Sequence, residues 1–515
     1  MTRRLGGRSA RRALRAAPLK EEDKAVHPGM EGQCFKPLTE PQVQRVHEAV
    51  LDVLETIGLS QAIPSCIDAV TAAGGRLSSE GRLLFPRSLV EDTVAGAARN
   101  IVLHGQRPGH DMELRGTRSY FGTAGAAVHV VDPVTREYRE STLRDLYDIG
   151  RLVDALEHIH FYQRPLVARD MEQPRDLDFN TCYACVSATT KHVGTSWVQP
   201  EHVEESLAML HEIAGGESAW RARPFVSMSN CFVVPPLRFA EDACRCLEVA
   251  VRGGMPVLLL AAGQAGATSP AALGGAIVQE VAEVLAGLVY VNAIVPGAPA
   301  IFGTWPFVSD LRTGAMSGGS GEQAVLMAAC GQMGRFYDLP TGIAAGMADS
   351  KLPDAQSGYE KAYTTVLAGH SGANLIYESA GMQASLLGCC YESFVIDNDM
   401  LGAVNRTMRG IEINEDTLSI DAIRDVCIGG PSHFLGHPQT LSLMQREYVY
   451  PQVADRTSPK EWREQGSTDV VQRARMVVQN VLAAHFPQHI DAALDARIRE
   501  RFAVLLPREQ MLPEP

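Results

Sequence analysis

Residues 339–381, "LPTGIAAGMADSKLPDAQSGYEKAYTTVLAGHSGANLIYESAG", decide how the rest of the chain is read. "LPTGIAAG" (339–346) is a short apolar run punctuated by glycine, "AQSGYEKAYTTVLAGHSG" (355–372) is long enough for a helix, and "ANLIYESAG" (373–381) is a second apolar run with a polar tip. Length and glycine punctuation separate strand from helix here. Two strands joined through a helix lie parallel, because a parallel pair needs a crossover of roughly a dozen residues or more.

The same alternation extends back to residue 118. "SYFGTAGAAVHVV", "IHFYQRPLVA", "HVGTSWVQ", "PFVSMSNCFVV", "PVLLLAAGQAG" and "PAIFGTWPFV" precede the two runs of the opening unit, and helix-like stretches such as "STLRDLYDIGRLVDALE", "PEHVEESLAMLHEIA" and "SPAALGGAIVQEVAEVLAGLV" separate them. Nearly continuous apolar strands between helices describe a buried parallel sheet of an α/β protein, and eight of them close a (β/α)8 TIM barrel. An open doubly wound sheet is the alternative. No strand leads into G-x-G-x-x-G or a Walker A sequence, and "GAMSGGSGE" (314–322) lacks the Lys-Ser/Thr ending, so it reads as a loop or helix start.

Upstream, "LTEPQVQRVHEAVLDVLETIGLS" (38–60) places Val43, Val46, Val50, Val53 and Leu54 at helical spacing behind a Thr39 cap. The expected organisation is therefore a basic, flexible arm over 1–34, an N-terminal helical layer over 35–117, the catalytic barrel over 118–400 and a C-terminal helical extension over 401–515. That extension includes "PSHFLGH" (431–437), "TDVVQRARMVVQNVLAAH" and "IDAALDARIRERFAVLLP", and is expected to cover one barrel face.

With 60 acidic and 47 basic residues the formal charge is -13, which opposes binding to a phosphate backbone. The basic residues cluster only at the start, "MTRRLGGRSARRALRAA", whose composition also fits a mitochondrial transit peptide. No apolar stretch follows it as a secretory signal requires, and the longest apolar runs are short or carry carboxylates, so no transmembrane helix is expected. Eleven scattered cysteines, an odd number without secretory context, read as reduced thiols of a cytoplasmic protein.

In a barrel of this kind the site is built at the C-terminal ends of the strands. Read in that way, the strand ends offer Arg164 after the second, Asn230 after the fourth, Gln264 after the fifth, Trp305 and Phe307 in "GTWPF" after the sixth, Asp349 and Lys351 after the seventh, and Tyr377 and Glu378 in "YES" after the eighth. Arg312, Gln356 and Tyr359 lie in the adjoining loops and helix start. Aromatic faces beside carboxylates suit an alkylammonium group, since an aromatic face stabilises a cation by roughly 0.5 to 2 kcal/mol. Asp349 and Glu378 are the carboxylates placed nearest the chemistry. Glu360 and Lys361 fall inside the following helix, where Glu360 suits the positive end of the macrodipole and Lys361 a solvated face. Nucleophile signatures are missing: there is no G-x-S-x-G elbow and no HExxH. The paired cysteines of "LGCCYE", Cys389 and Cys390, leave open a zinc-dependent thiol methyltransferase; as they are placed in a helix, buried thiols are the other reading and no metal is assigned.

"DSKLPDAQSGYEK", the upstream "GTWPF" and the N-terminal "PLTEPQVQRVHEAVLDVLETIG" together resemble the trimethylamine methyltransferase family, over nearly the whole chain from about residue 35. The resemblance implies a (β/α)8 enzyme moving a methyl group from a methylated amine to the Co(I) of a corrinoid (cobalamin) carried by a separate protein, and a homo-oligomer. The archaeal trimethylamine enzymes carry pyrrolysine near the seventh strand, whereas residues 341–361 here are all standard amino acids. This chain therefore resembles the members without pyrrolysine, such as glycine betaine:corrinoid methyltransferases. Their quaternary substrate is already charged as a leaving group, and Arg164, Asn230, Gln264 or Arg312 would meet its carboxylate. A barrel that only binds a quaternary amine remains the non-catalytic alternative.

Overall fold

The computed structural model describes Lys20 and residues 23–513. The apolar runs form β1 (Arg118–Phe121), β2 (Phe161–Gln163), β3 (His192–Thr195), β4 (Val226–Cys231), β5 (Val257–Ala261), β6 (Ala300–Thr304), β7 (Thr341–Ala344) and β8 (Leu375–Tyr377). Each pairs in parallel with its sequence neighbour from β2 to β8, and β8 pairs with β1 through Leu375–Tyr120. A parallel bridge between Gly122 and Phe161, with His160 N donating to Phe121 O at 2.6 Å, joins β1 to β2. That bridge closes the sheet, so the barrel exposes no long edge.

The intervening helices are α1 (Leu143–Ala155), α2 (Pro174–Ala188), α3 (Pro200–Ala214), α4 (Glu241–Arg252), α5 (Leu273–Ile294), α6 (Gly321–Phe336), α7 (Ala355–Ser371) and α8 (Tyr391–Arg409). Their starts follow local chemistry: Thr142 and Asp145 make a reciprocal capping box on α1, and the Asp354 carboxylate accepts from Ser357 N at 3.0 Å on α7.

α5 is apolar around most of its circumference and, by length and composition alone, could cross a membrane, yet it is mostly buried within the protein. Its inner face packs on β5 and β6. Its outer face is covered by the N-terminal helices Glu40–Thr56, Pro64–Ala72 and Arg87–Gly96. A helix buried on both sides has no polar face to show.

Four details differ from the sequence expectation. The first run, "SYFGTAGAAVHVV", is not one strand. The barrel segment ends near Gly122, where a Cβ would collide with the Phe161 ring, and Gly125 takes φ +150. His129–Asp132 then joins Glu137–Glu140, Met382–Gln383 and Gly388–Cys389 in a separate four-stranded sheet beyond the ends of β1 and β8.

Part of the expected flexible arm is ordered, because Met30 and Glu31 pair antiparallel with Ser119 and Arg118 of β1. The arginine-rich beginning lies outside the described residues. The C-terminal helices Val470–Ala484 and Ala492–Arg501 run along the outer wall against α8, α1 and α3, rather than over a barrel face, while Phe434 and Leu435 stay exposed. Lys361 is 1% exposed, not solvated: its Nζ reaches Asp397 Oδ2 of α8 at 2.6 Å.

Candidate functional site

Short strands end at similar heights, so their C-terminal residues and loops enclose one space. A cavity of about 720 Å³ opens there, with Gln163 at the end of β2 and Arg164 after it, Trp197 after β3, Asn230 and Cys231 at the end of β4, Trp305 and Phe307 after β6, and Glu378 after β8 among its walls.

One part of the wall is aromatic. Trp305 packs against Tyr377 with centroids 5.1 Å apart, and Tyr377 meets Phe161 edge-on at 4.9 Å. Tyr377 thus stands behind Trp305 and holds its ring, while Phe307 completes the wall. The indole Nε1 of Trp305 is buried with no hydrogen-bond partner among the described residues.

Glu378 is 1% exposed, adopts φ +60 and leaves Oε2 without a partner among the described residues. Burial pushes its carboxyl up to about 8, so at neutral pH it is mainly the uncharged acid. Arg164 is its electrostatic counterpart. Its Nε donates to Ser196 Oγ at 2.9 Å, and no carboxylate pairs with it among the described residues. Asp178 is turned away to His202 Nδ1 (2.7 Å) and Val198 N (2.8 Å). Burial lowers the Arg164 pKa, but a guanidinium starts so high that it stays charged. The cavity therefore holds the unpaired Arg164, an aromatic wall and a neutral acid, with Arg238, Glu241 and Asp242 also among its lining.

Asn230 lines the cavity, but both ends of its amide are taken by the Trp197 backbone, at 3.2 Å to N and 2.7 Å to O. It fixes the β3 loop. The other predicted residues lie elsewhere. Asp349 accepts from Ser317 Oγ (2.7 Å), Gly318 N (2.8 Å) and Ser385 Oγ. These bonds make it a clamp between loops; through Ser385 it helps set the left-handed stretch Ala384–Leu386, whose Leu386 does reach the cavity. Lys351 is exposed and donates to Asp349 O, Gln356 donates to Glu360, Tyr359 is 59% exposed, and Arg312 pairs with Asp310 on the surface. Gln264 is turned into a short parallel pairing with Phe307 and does not line the cavity. The charge crowded after β7 thus builds the loop: Glu360 accepts from Asp349 N (2.8 Å) and Ser350 N (3.3 Å).

Sequence reasoning missed Gln163, Trp197 and Leu386 as wall residues. Trp197 carried a usable signal, a bulky aromatic just past the end of a short apolar run; Leu386 carried none, because only the folded loop brings it in. Cys389 sits in a strand and Cys390 at the N-cap of α8, both buried thiols, and burial holds Cys390 up at about 12. Among the described residues no three His, Cys, Asp or Glu side chains come together as metal ligands.

Comparison with known proteins now bears on this site. The model of the trimethylamine methyltransferase family matches residues 4–504. The chain belongs to that family. It is accordingly a methyltransferase. It is 30% identical over 471 residues to a trimethylamine methyltransferase of Desulfitobacterium hafniense, covering 91% of this chain and 94% of that one. It is 29% identical over 468 residues to a glycine betaine methyltransferase of another strain of that organism, covering 90% and 95%. The crystal structure of the Methanosarcina barkeri monomethylamine methyltransferase superposes with a TM-score of 0.50 at 12% identity, covering 90% of each chain, which shows the shared barrel fold.

Proposed function

We propose that this methyltransferase takes a methyl group from a quaternary amine that also bears a carboxylate, glycine betaine being the simplest, and delivers it to Co(I) of a corrinoid on a separate protein. The observation that carries the reading is Arg164, an unpaired guanidinium in the same cavity as Trp305, Phe307 and Glu378. Trimethylamine offers nothing for a guanidinium to bind; a betaine carboxylate does.

The side chains present suit an external methyl acceptor. Cys231, the thiol in the cavity wall, is held up at about 11 by burial and by the surrounding glutamates, so it is protonated and a poor acceptor itself. The cavity opens at the barrel mouth, where a docked domain can reach it. The corrinoid would supply a strong two-electron nucleophile for a methyl carbon.

Arg164 anchors the carboxylate, and the Trp305 and Phe307 faces hold the trimethylammonium end, fixing the orientation of one N-methyl bond. When that bond breaks, the pair stays on nitrogen and a neutral tertiary amine leaves; no proton has to move. The apolar wall keeps water out. This fits a site without a paired nucleophile and base.

The buried thiols support a cytoplasmic location. We assign the exposed apolar residues of the segment that follows α8, Ile411, Ile413, Ile420, Ile428 and Leu435, to contact with a second copy of the chain.

The test is an anaerobic assay with Co(I) cobalamin or a corrinoid protein, following loss of the Co(I) absorbance with glycine betaine, tetramethylammonium and trimethylamine. Glycine betaine is expected to react, and Arg164→Met to raise its KM on the order of 10- to 100-fold, the value of a charged hydrogen bond. Reaction with trimethylamine alone, or an unchanged KM in R164M, would sink the proposal.

A further inference from the structure

α5 carries two carboxylates that the proposed chemistry does not use. Glu280 and Glu283 are both fully buried, one helical turn apart on an otherwise apolar helix. Glu280 Oε1 accepts the backbone N–H of Gly263, just after β5, and Gly263 O in turn accepts from Phe307 N at 2.9 Å, just after β6. Glu283 Oε1 accepts from Leu237 N at 2.7 Å, in the loop after β4, and from Gln279 Nε2 at 3.3 Å. Two strand-end loops thus hang directly on one helix turn, and a third follows through Gly263.

Each loop borders the cavity: Val234, Arg238 and Phe239 from the first, Ala262 from the second, Trp305 and Phe307 from the third. The backbone is built for the contact. Leu237 takes φ +50, and a Cβ on Gly263 would lie 2.5 Å from Glu280 Oε1. Burying two acids beside each other is costly, and the second oxygen of each has no partner among the described residues. A core helix packing for stability alone would be better served by leucine.

We infer that Glu280 and Glu283 are positioning residues, which lock the loops after β4, β5 and β6 so that Trp305 and Phe307 present a fixed wall to the substrate ammonium. This rests on the substrate reading above. Glu280 governs the β5 loop and, through Gly263, the β6 loop, and Glu283 the β4 loop.

The test compares Glu280→Ala and Glu283→Ala with Glu280→Gln and Glu283→Gln, since glutamine keeps an oxygen acceptor. Hydrogen–deuterium exchange is read on peptides covering 232–240, 262–268 and 304–310. Binding of tetramethylammonium and of glycine betaine is read by calorimetry. E280A is expected to speed exchange in the last two peptides and E283A in the first, each weakening binding of both ligands on the order of tenfold or more, with the glutamine variants within about threefold of wild type. Exchange rising uniformly over the barrel, or loop-specific exchange with unchanged binding, overturns the positioning role while leaving the substrate reading intact. Wild-type protein that binds neither ligand overturns the substrate reading and this role with it.

Discussion

Glu378 shows how one residue couples the cavity to pH. Its carboxyl titrates near 8 because burial disfavours the charged form, and an ammonium bound beside it favours that form. Binding of a quaternary amine at pH 7 should therefore release a proton, and affinity should rise with pH through about 8. Calorimetry in buffers of different ionisation heat measures both, and Glu378→Gln should abolish both. The stability sign runs the other way. The native state keeps the proton between the ordinary glutamate pKa and about 8, so this group's contribution is lost as pH rises across that window. E378Q should thus melt higher than wild type at pH 8.5, relative to pH 5. The polar tip "YES" made Glu378 legible at the end of the eighth run. Its neutral state was not, because protonation depends on what surrounds the carboxyl, not on residue type.

At the scale of elements, α7 and α8 are joined by the Lys361–Asp397 pair, and Asp397 also accepts from Gly381 N at 2.8 Å. Removing one partner strands a buried charge, so Lys361→Met should cost about 3–5 kcal/mol. Lys361→Met combined with Asp397→Leu should recover much of that, by denaturant unfolding; a double variant no better than the single one would contradict the buried-charge account. Helix surface spacing pointed Lys361 outward because periodicity reports one helix alone. It says nothing of a second helix laid against that side. Lys191 makes the same point at a helix end: its Nζ donates to the carbonyls of Val153, Leu156 and Ile159 at 2.6 Å, gathering the C-terminal end of α1. No local motif in "KHVGT" announces that role.

For the whole molecule, the barrel depends on the N-terminal layer. Val50, Leu51 and Leu54 of helix Glu40–Thr56 are buried, and that helix covers α5. Leu54→Asp should destabilise the protein by about 4 kcal/mol, the scale of an unpaired charge placed in a core. Trp197, Trp220 and Trp305 lie in the barrel, so tryptophan fluorescence should report the same lowered denaturation midpoint as circular dichroism; an unchanged fluorescence midpoint would mean that the layer folds on its own. The amino-acid order by itself determined the alternation of eight apolar runs with helices, the helical layer before them, and an aromatic residue and a carboxylate at the ends of the sixth and eighth runs. Those are local properties: run length, period and punctuation act between residues a few positions apart. The tertiary structure decided that Arg164 stays unpaired, that Asp349 clamps loops instead of facing substrate, and that Glu280 and Glu283 hold the loops after β5 and β4. These depend on contacts such as Asp349 with Ser317 and Ser385, or Glu283 with Leu237, whose partners lie tens of residues apart and meet only once the barrel has closed.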